Sequence, residues 1–151
     1  MSPRAAWRLE SLGLRHVYDY VAGKADWGAA GLSLEGRLGT RAGEIARGDV
    51  PTCRLDERLA DIRDRVSATG WRTCVVLNDE GIVLGQVEGR ALEANVAGNI
   101  EEAMRPGPST VRPNATVETI RRRFEKHGLT TVIVTRSDGR LVGVVRRADV
   151  V

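Results

Sequence analysis

The sequence predicts an α/β (α+β) fold: two β-α-β-β-α units packed with pseudo-twofold symmetry, preceded by a short N-terminal α/β segment. Three observations carry this expectation: a gapless internal repeat, turn and stop residues recurring at matching places in both copies, and a hydrophobic period that switches from helical to strand spacing within each copy. Sliding the 151-residue chain on itself by 58 positions aligns residues 44–92 with 102–150, and 13 of these 49 pairs are identical. Among them are Ile62/Ile120, Gly70/Gly128, Thr73/Thr131, Gly81/Gly139, Gly85/Gly143 and Val87/Val145.

Taken in order, the segment from Ala5 to Leu32 reads as helix, glycine stop, strand, turn and short helix. Each repeat then opens on a short strand, around Thr52-Cys53 and Thr110-Val111. An Asx residue follows (Asp56, Asn114), placed to cap a helix through its side-chain oxygen. Apolar residues at helical spacing come next, Leu59, Ile62 and Val66 in one copy and Val117, Ile120 and Phe124 in the other. Gly70 and Gly128 stand where a left-handed residue stops the helix. The strands Thr73-Cys74-Val75-Val76-Leu77 and Thr131-Val132-Ile133-Val134-Thr135 are rich in β-branched residues. Turns at Glu80-Gly81 and Asp138-Gly139 lead into second strands from Ile82 and Arg140, closing a hairpin, and a terminal helix or its beginning follows. One such unit of roughly 50 residues buries too little surface to stand alone, so the copies pack together and any cleft between them is a natural ligand site.

Composition narrows the function classes. With 42% hydrophobic and 28% charged residues the chain can bury a core, which excludes an extended solvated polymer. No apolar run approaches the length of about 18 residues that a membrane span requires. The first residues lack the apolar stretch of a secretory signal, so a cytoplasmic location is expected and no membrane partner. Two cysteines and two histidines supply neither a disulfide framework nor a metal-ligand spacing. The net charge of +3 is unevenly spread: residues 1–104 carry 13 basic and 16 acidic side chains, residues 105–151 carry 10 and 4. The second copy therefore holds the positive field, which suits a phosphate-bearing or other anionic partner.

The stretch from Thr131 through Gly139 to Val145, ending in Arg146-Arg147-Ala148-Asp149-Val150, resembles the tandem cystathionine-β-synthase (CBS) domain pair. So does the approach to the second copy, Ile100-Glu101-Glu102-Ala103-Met104-Arg105-Pro106. The resemblance covers about two thirds of the chain and divides it into residues 41–98 and 99–151, one repeat each. It implies a non-enzymatic regulatory or sensing module with no required cofactor. Such a module binds an adenosine-containing ligand (AMP, ATP or S-adenosylmethionine) between the copies. A homodimer and a regulated partner protein of unknown identity complete that expectation.

In that family a Thr or Ser after the last strand contacts phosphate, and an Asp three residues on accepts hydrogen bonds from the ribose hydroxyls. Here these positions fall on Arg146, a departure that still suits phosphate, and on Asp149. In the first copy they fall on Glu88, which repels phosphate, and Ala91, which cannot hold ribose, so at most one site is expected. Thr110, Val111, Thr131 and Val132 line the same cleft by the family's pattern, with ordinary strand packing as the alternative for each. With the sequence given ending at Val151, the helix after the last strand is expected as a stub, and Asp149 reads alternatively as a carboxylate favoured by a helix start.

Residues 1–40 resemble the last third of a rhodanese-type sulfurtransferase domain through the Gly-x-x-x-Trp-x-x-x-Gly-Leu string at residues 23–32. That family's persulfide-forming cysteine loop lies ahead of this helix and is not in the sequence given. Cys53 to Arg58 superficially copies the Cys-x-x-x-x-Arg loop of such enzymes. It follows the tail instead of preceding it, lacks the loop's glycine, and aligns with a strand, so Cys53 and Cys74 are expected as small buried residues. Trp7, Tyr18, Tyr20 and Trp27 are expected to dock the segment onto the pair or onto a partner, with Lys24 and Asp26 solvated. Competing readings are a ligand-free scaffold for dimerisation, nucleic-acid binding through Arg121, Arg122, Arg123, Lys126, Arg146 and Arg147, and sulfurtransfer. The arginine run weighs against nucleic acid, because helical spacing spreads it around the helix.

Overall fold

A computed structural model describes residues 3–18, 20–30, 32, 39–93 and 99–150. Gly31 and Val151 lie outside the described residues. Helix α1 (Pro3–Ser11) ends ahead of Gly13, whose φ of 90° makes the expected glycine stop, and α2 (Gly23–Ala29) follows. The strand expected between them does not form among the described residues. A strand is held by a paired neighbour, and among the described residues this stretch joins neither sheet. Trp7 and Tyr18 do not seat the segment on the repeats, since they are 68% and 82% exposed and join no buried cluster among the described residues. Tyr20 and Trp27 meet edge to face with ring centroids 5.4 Å apart. Asp26 is also not simply solvated, because its carboxylate accepts from the Tyr20 hydroxyl.

The first repeat comprises α3 (Ala42–Ile45), β1 (Thr52–Cys53), α4 (Leu59–Thr69), β2 (Thr73–Leu77), β3 (Val83–Glu88) and α5 (Arg90–Glu93). The second comprises α6 (Ile100–Ala103), β4 (Arg105–Pro106), β5 (Thr110–Val111), α7 (Val117–His127), β6 (Thr131–Thr135), β7 (Leu141–Arg146) and a 3₁₀ turn over Arg147–Val150. The helix stripes are those the spacing predicts: Leu59, Ile62 and Val66 are buried on α4, Ile120 and Phe124 on α7. Gly70 and Gly128 end these helices at φ of 69° and 62°, the left-handed region that a side chain resists.

The expected Asx caps do not form. Helix α7 is capped two residues later, by the Thr116 hydroxyl accepting from the Thr119 amide at 3.2 Å, and α4 starts after Arg58 with no side-chain cap. Asp56 and Asn114 sit instead in the turns leading to those helices. The chain needs those extra residues to rise from the short strand to the helix.

Both hairpins form, shifted by one residue from the expected start, because Ile82 and Arg140 bridge to each other instead of opening their own strands. Around that bridge the Val83 amide donates to the Gly139 carbonyl and the Leu141 amide to the Gly81 carbonyl, each at 3.1 Å. These bonds exchange under the 58-residue repeat, so the pseudo-twofold axis passes between the hairpin tips.

The leading segments also change places. β4, at the start of the second repeat, pairs antiparallel with β3 of the first, giving the order β1-β2-β3-β4. Arg47, at the start of the first repeat, exchanges backbone hydrogen bonds of 2.9 and 3.0 Å with Val144 on β7. This crossing accounts for the repeated glycines. A Cβ on Gly143 would lie 2.7 Å from the Arg47 carbonyl oxygen, and one on Gly85 would lie 2.6 Å from Met104 Sδ.

The core explains why the hairpins read as continuous apolar runs. On β6 and β7, Val132, Val134 and Val145 pack with Ile120 and Phe124, while Ile133 and Val144 face the other way into the first repeat's cluster with Val75, Val76 and Ile62. Strands buried on both faces have no solvent side on which to place polar residues.

Candidate functional site

Where the two hairpins end side by side, a cavity of about 550 Å³ opens between the repeats. Its lining comes from the loop and strand start before each hairpin (Gly70 to Thr73; Thr130, Thr131) and from the residues after it (Glu88, Gly89; Arg146 to Ala148). Most of these residues pair under the 58-residue repeat, so the cavity straddles the axis. A volume in this range suits a ligand of nucleotide size.

The two copies furnish it differently. At one equivalent position Glu88 stands opposite Arg146, and at another Trp71 stands opposite Leu129. The Glu88 carboxylate accepts from the Thr131 hydroxyl at 3.0 Å, and the Gln86 amide donates to the hydroxyls of Thr73 at 2.8 Å and Thr131 at 3.0 Å. On the other side the Arg146 guanidinium lies 4.9 Å from the centroid of the Trp71 ring, a cation-π contact. Trp71 is itself held by packing: it is only 5% exposed in the first repeat's buried cluster, and the Arg47 guanidinium lies 5.7 Å from its ring centroid. Arg47 in turn grips Asp49 through Nε and Nη2 at 3.2 and 3.0 Å. That fork holds the Asp49 carboxyl below the ordinary aspartate range and raises Arg47.

The residues expected at the site divide. Arg146 and Thr131 line the cavity. Asp149 is not among its lining residues. Its Oδ2 accepts from the Arg146 amide at 3.0 Å and lies 3.4 Å from Arg146 Nε, so it anchors the 3₁₀ turn and the arginine together. Thr110 and Val111 lie away from the cavity on β5, where the Thr110 carbonyl accepts from Arg123. Val132 is fully buried against α7. Trp71, Arg72 and Arg147 were not anticipated as lining residues. The one signal for them is the repeat alignment, which sets an aromatic and cations against residues of different character in the other copy.

The arginines expected to spread around α7 do so: Arg121 donates to the Val150 carbonyl, Arg122 to Glu118, and Arg123 to Ser109. Cys53 and Cys74 are buried on β1 and β2 as expected. The neighbouring Cys53 thiol together with burial pushes the Cys74 thiol well up, so it stays protonated. Among the described residues no helix is long and apolar enough to cross a membrane, and no cluster of His, Cys, Asp and Glu is placed to hold a metal ion.

Residues 98–151 match the family model described as CBS domain. This CBS match spans the second repeat together with its leading segment. The architecture of the whole pair is also that of solved CBS pairs. CBSX2 of Arabidopsis thaliana in complex with AMP superposes with a TM-score of 0.69 at 19% identity, over 74% of this chain and 93% of that one. The cytosolic domain of the Mg2+ channel MgtE in complex with ATP gives 0.68 at 22% identity, over 74% of this chain and 47% of that one. The CBS pair of protein MJ0100, in complex with 5-methylthioadenosine and S-adenosyl-L-methionine, gives 0.67 at 18% identity, over 74% of this chain and 92% of that one. At these identities the likeness establishes the fold. The chain spans about half of the MgtE domain. No curated protein matches the sequence.

Proposed function

We propose that this chain is a non-enzymatic regulatory module that binds one adenosine-containing ligand of the AMP, ATP or S-adenosylmethionine type in the cavity between its repeats. The observation that carries this reading is the cavity itself: it lies on the axis, both copies line it, and it gathers Arg72, Arg146 and Arg147 beside an indole ring. Cations suit phosphate and the ring suits a base, while Glu88 offers an acceptor for hydroxyls. The solved CBS pairs with AMP, ATP and S-adenosyl-L-methionine support the same ligand class.

In this reading residues 41–98 and 99–151 are the two repeats. Binding shifts their relative pose, and a homodimer in the cytoplasm passes the change to a partner protein. The sulfurtransferase-like reading of residues 1–40 rests on the string at residues 23–32 alone. Isothermal titration calorimetry with AMP, ATP and S-adenosylmethionine tests the proposal: a saturable heat from at least one is expected, and no heat at millimolar ligand overturns it. A ligand-free dimerisation scaffold is the second reading. It is favoured by the carboxylates of Glu88 and Asp149, which already hold partners within the chain.

A further inference from the structure

The Trp71 ring and the Arg146 guanidinium occupy the same cavity wall in an arrangement that a simple phosphate grip does not require. An arginine meant only to hold phosphate needs a clear path to the ligand. Here it is parked against an aromatic face. We propose that the Trp71 indole is the seat for the planar heteroaromatic base of the ligand, a seat that Arg146 covers in this structure, and that Arg146 leaves the ring to grip the ligand's phosphate. The inference rests on the nucleotide reading above and names which residue selects the base and which the phosphate.

Four features point this way. First, the ring is fixed before any ligand arrives, because Trp71 is only 5% exposed and packs in the buried cluster of the first repeat, and a fixed aromatic plate stacks a base at little entropic cost. Second, of the two guanidiniums near the ring only Arg146 can move readily. Arg47 is forked onto Asp49, whereas the Arg146 side chain meets Asp149 through a single 3.4 Å contact. Third, a guanidinium is planar and delocalised, so it covers an indole much as a heteroaromatic base does, and one can replace the other without leaving the ring face bare. Fourth, the repeat places Leu129 opposite Trp71 and Glu88 opposite Arg146, so the seat and its cover occur once, in one orientation across the axis.

The test uses the full chain with Trp7→Phe and Trp27→Phe, which leaves Trp71 as the only tryptophan, titrated with AMP and with adenosine. Calorimetry and Trp71 fluorescence are followed together. AMP is expected to change Trp71 emission in step with the heat. Trp71→Leu is expected to weaken AMP by about tenfold or more, as loss of one base-aromatic stack does, and Trp71→Phe to restore part of it. Arg146→Ala is expected to tighten adenosine, since the seat is uncovered, and to abolish the preference for AMP over adenosine. Heat from AMP with no Trp71 response, or an unchanged AMP-to-adenosine ratio in Arg146→Ala, overturns this inference and leaves the nucleotide reading standing. No heat from any ligand overturns both. Because the Arg146→Ala readout is a ratio between two ligands, a general loss of stability does not imitate it.

Discussion

The two repeats share a skeleton and differ in what they hang on it. Glycines at the helix stops, at the hairpin tips and on the last strands coincide, as do the buried faces of α4 and α7. The polar equipment does not. The first repeat contributes Trp71 and Glu88 to the cavity, and the second contributes Arg146 with Asp149 behind it. Helix α7 is capped by Thr116, whereas α4 has no side-chain cap. Backbone geometry is preserved because both copies must satisfy the same crossing of leading segments. Polar residues are free to diverge because only one arrangement has to serve the shared cavity.

Three pairs of substitutions put this comparison under strain, beginning with the cores. Phe124→Ala removes the largest fully buried side chain among the described residues and is expected to cost about 3–5 kcal/mol, against about 2 kcal/mol for the equivalent Val66→Ala. Urea denaturation of both variants measures it, and equal losses would mean that the two helices are not packed as differently as their residues.

The repeated glycines come next. Gly143→Ala is expected to cost about 2–3 kcal/mol, because its Cβ meets the Arg47 backbone at 2.7 and 2.9 Å. Gly85→Ala should cost about 1 kcal/mol, since its nearest obstacle is the flexible end of Met104. Thermal melts that rank the pair the other way would contradict the crossing as described. The smallest effect concerns the caps. Thr116→Ala is expected to lose about 1 kcal/mol, while Arg58→Ala at the uncapped equivalent shows almost no cap loss in the same assay.

Most of the fold was legible because local physics writes it into the chain. Helical stripes, left-handed glycines and β-branched strands recur 58 residues apart and appear where they were expected, hairpins included, to within a residue. The misses occurred where a local pattern had two outcomes. Asp56 and Asn114 have the right chemistry for caps, yet the connection from strand to helix runs two residues further, and in the second repeat Thr116 does the capping. The segment ahead of Gly23 has strand-forming residues but joins neither sheet among the described residues. At the site, Arg146 and Thr131 reach the cavity while Val132 turns to α7, because successive strand residues face opposite sides.

By itself, then, the sequence determined the repeat, the order of elements within it, the buried faces and the concentration of positive charge in the second copy. All of these follow from composition, from spacings within one repeat or from the 58-residue offset between the two. Only the tertiary structure decided that the leading segments trade partners, that the hairpin tips bond across an axis, and that Arg146 lies against Trp71. Each of these joins residues from different copies, and such contacts depend on how two finished units meet, which no local period encodes. Gly85 and Gly143 show both sides: the repeat marked them as special, and the crossing backbone of Arg105 and Arg47 supplied the reason.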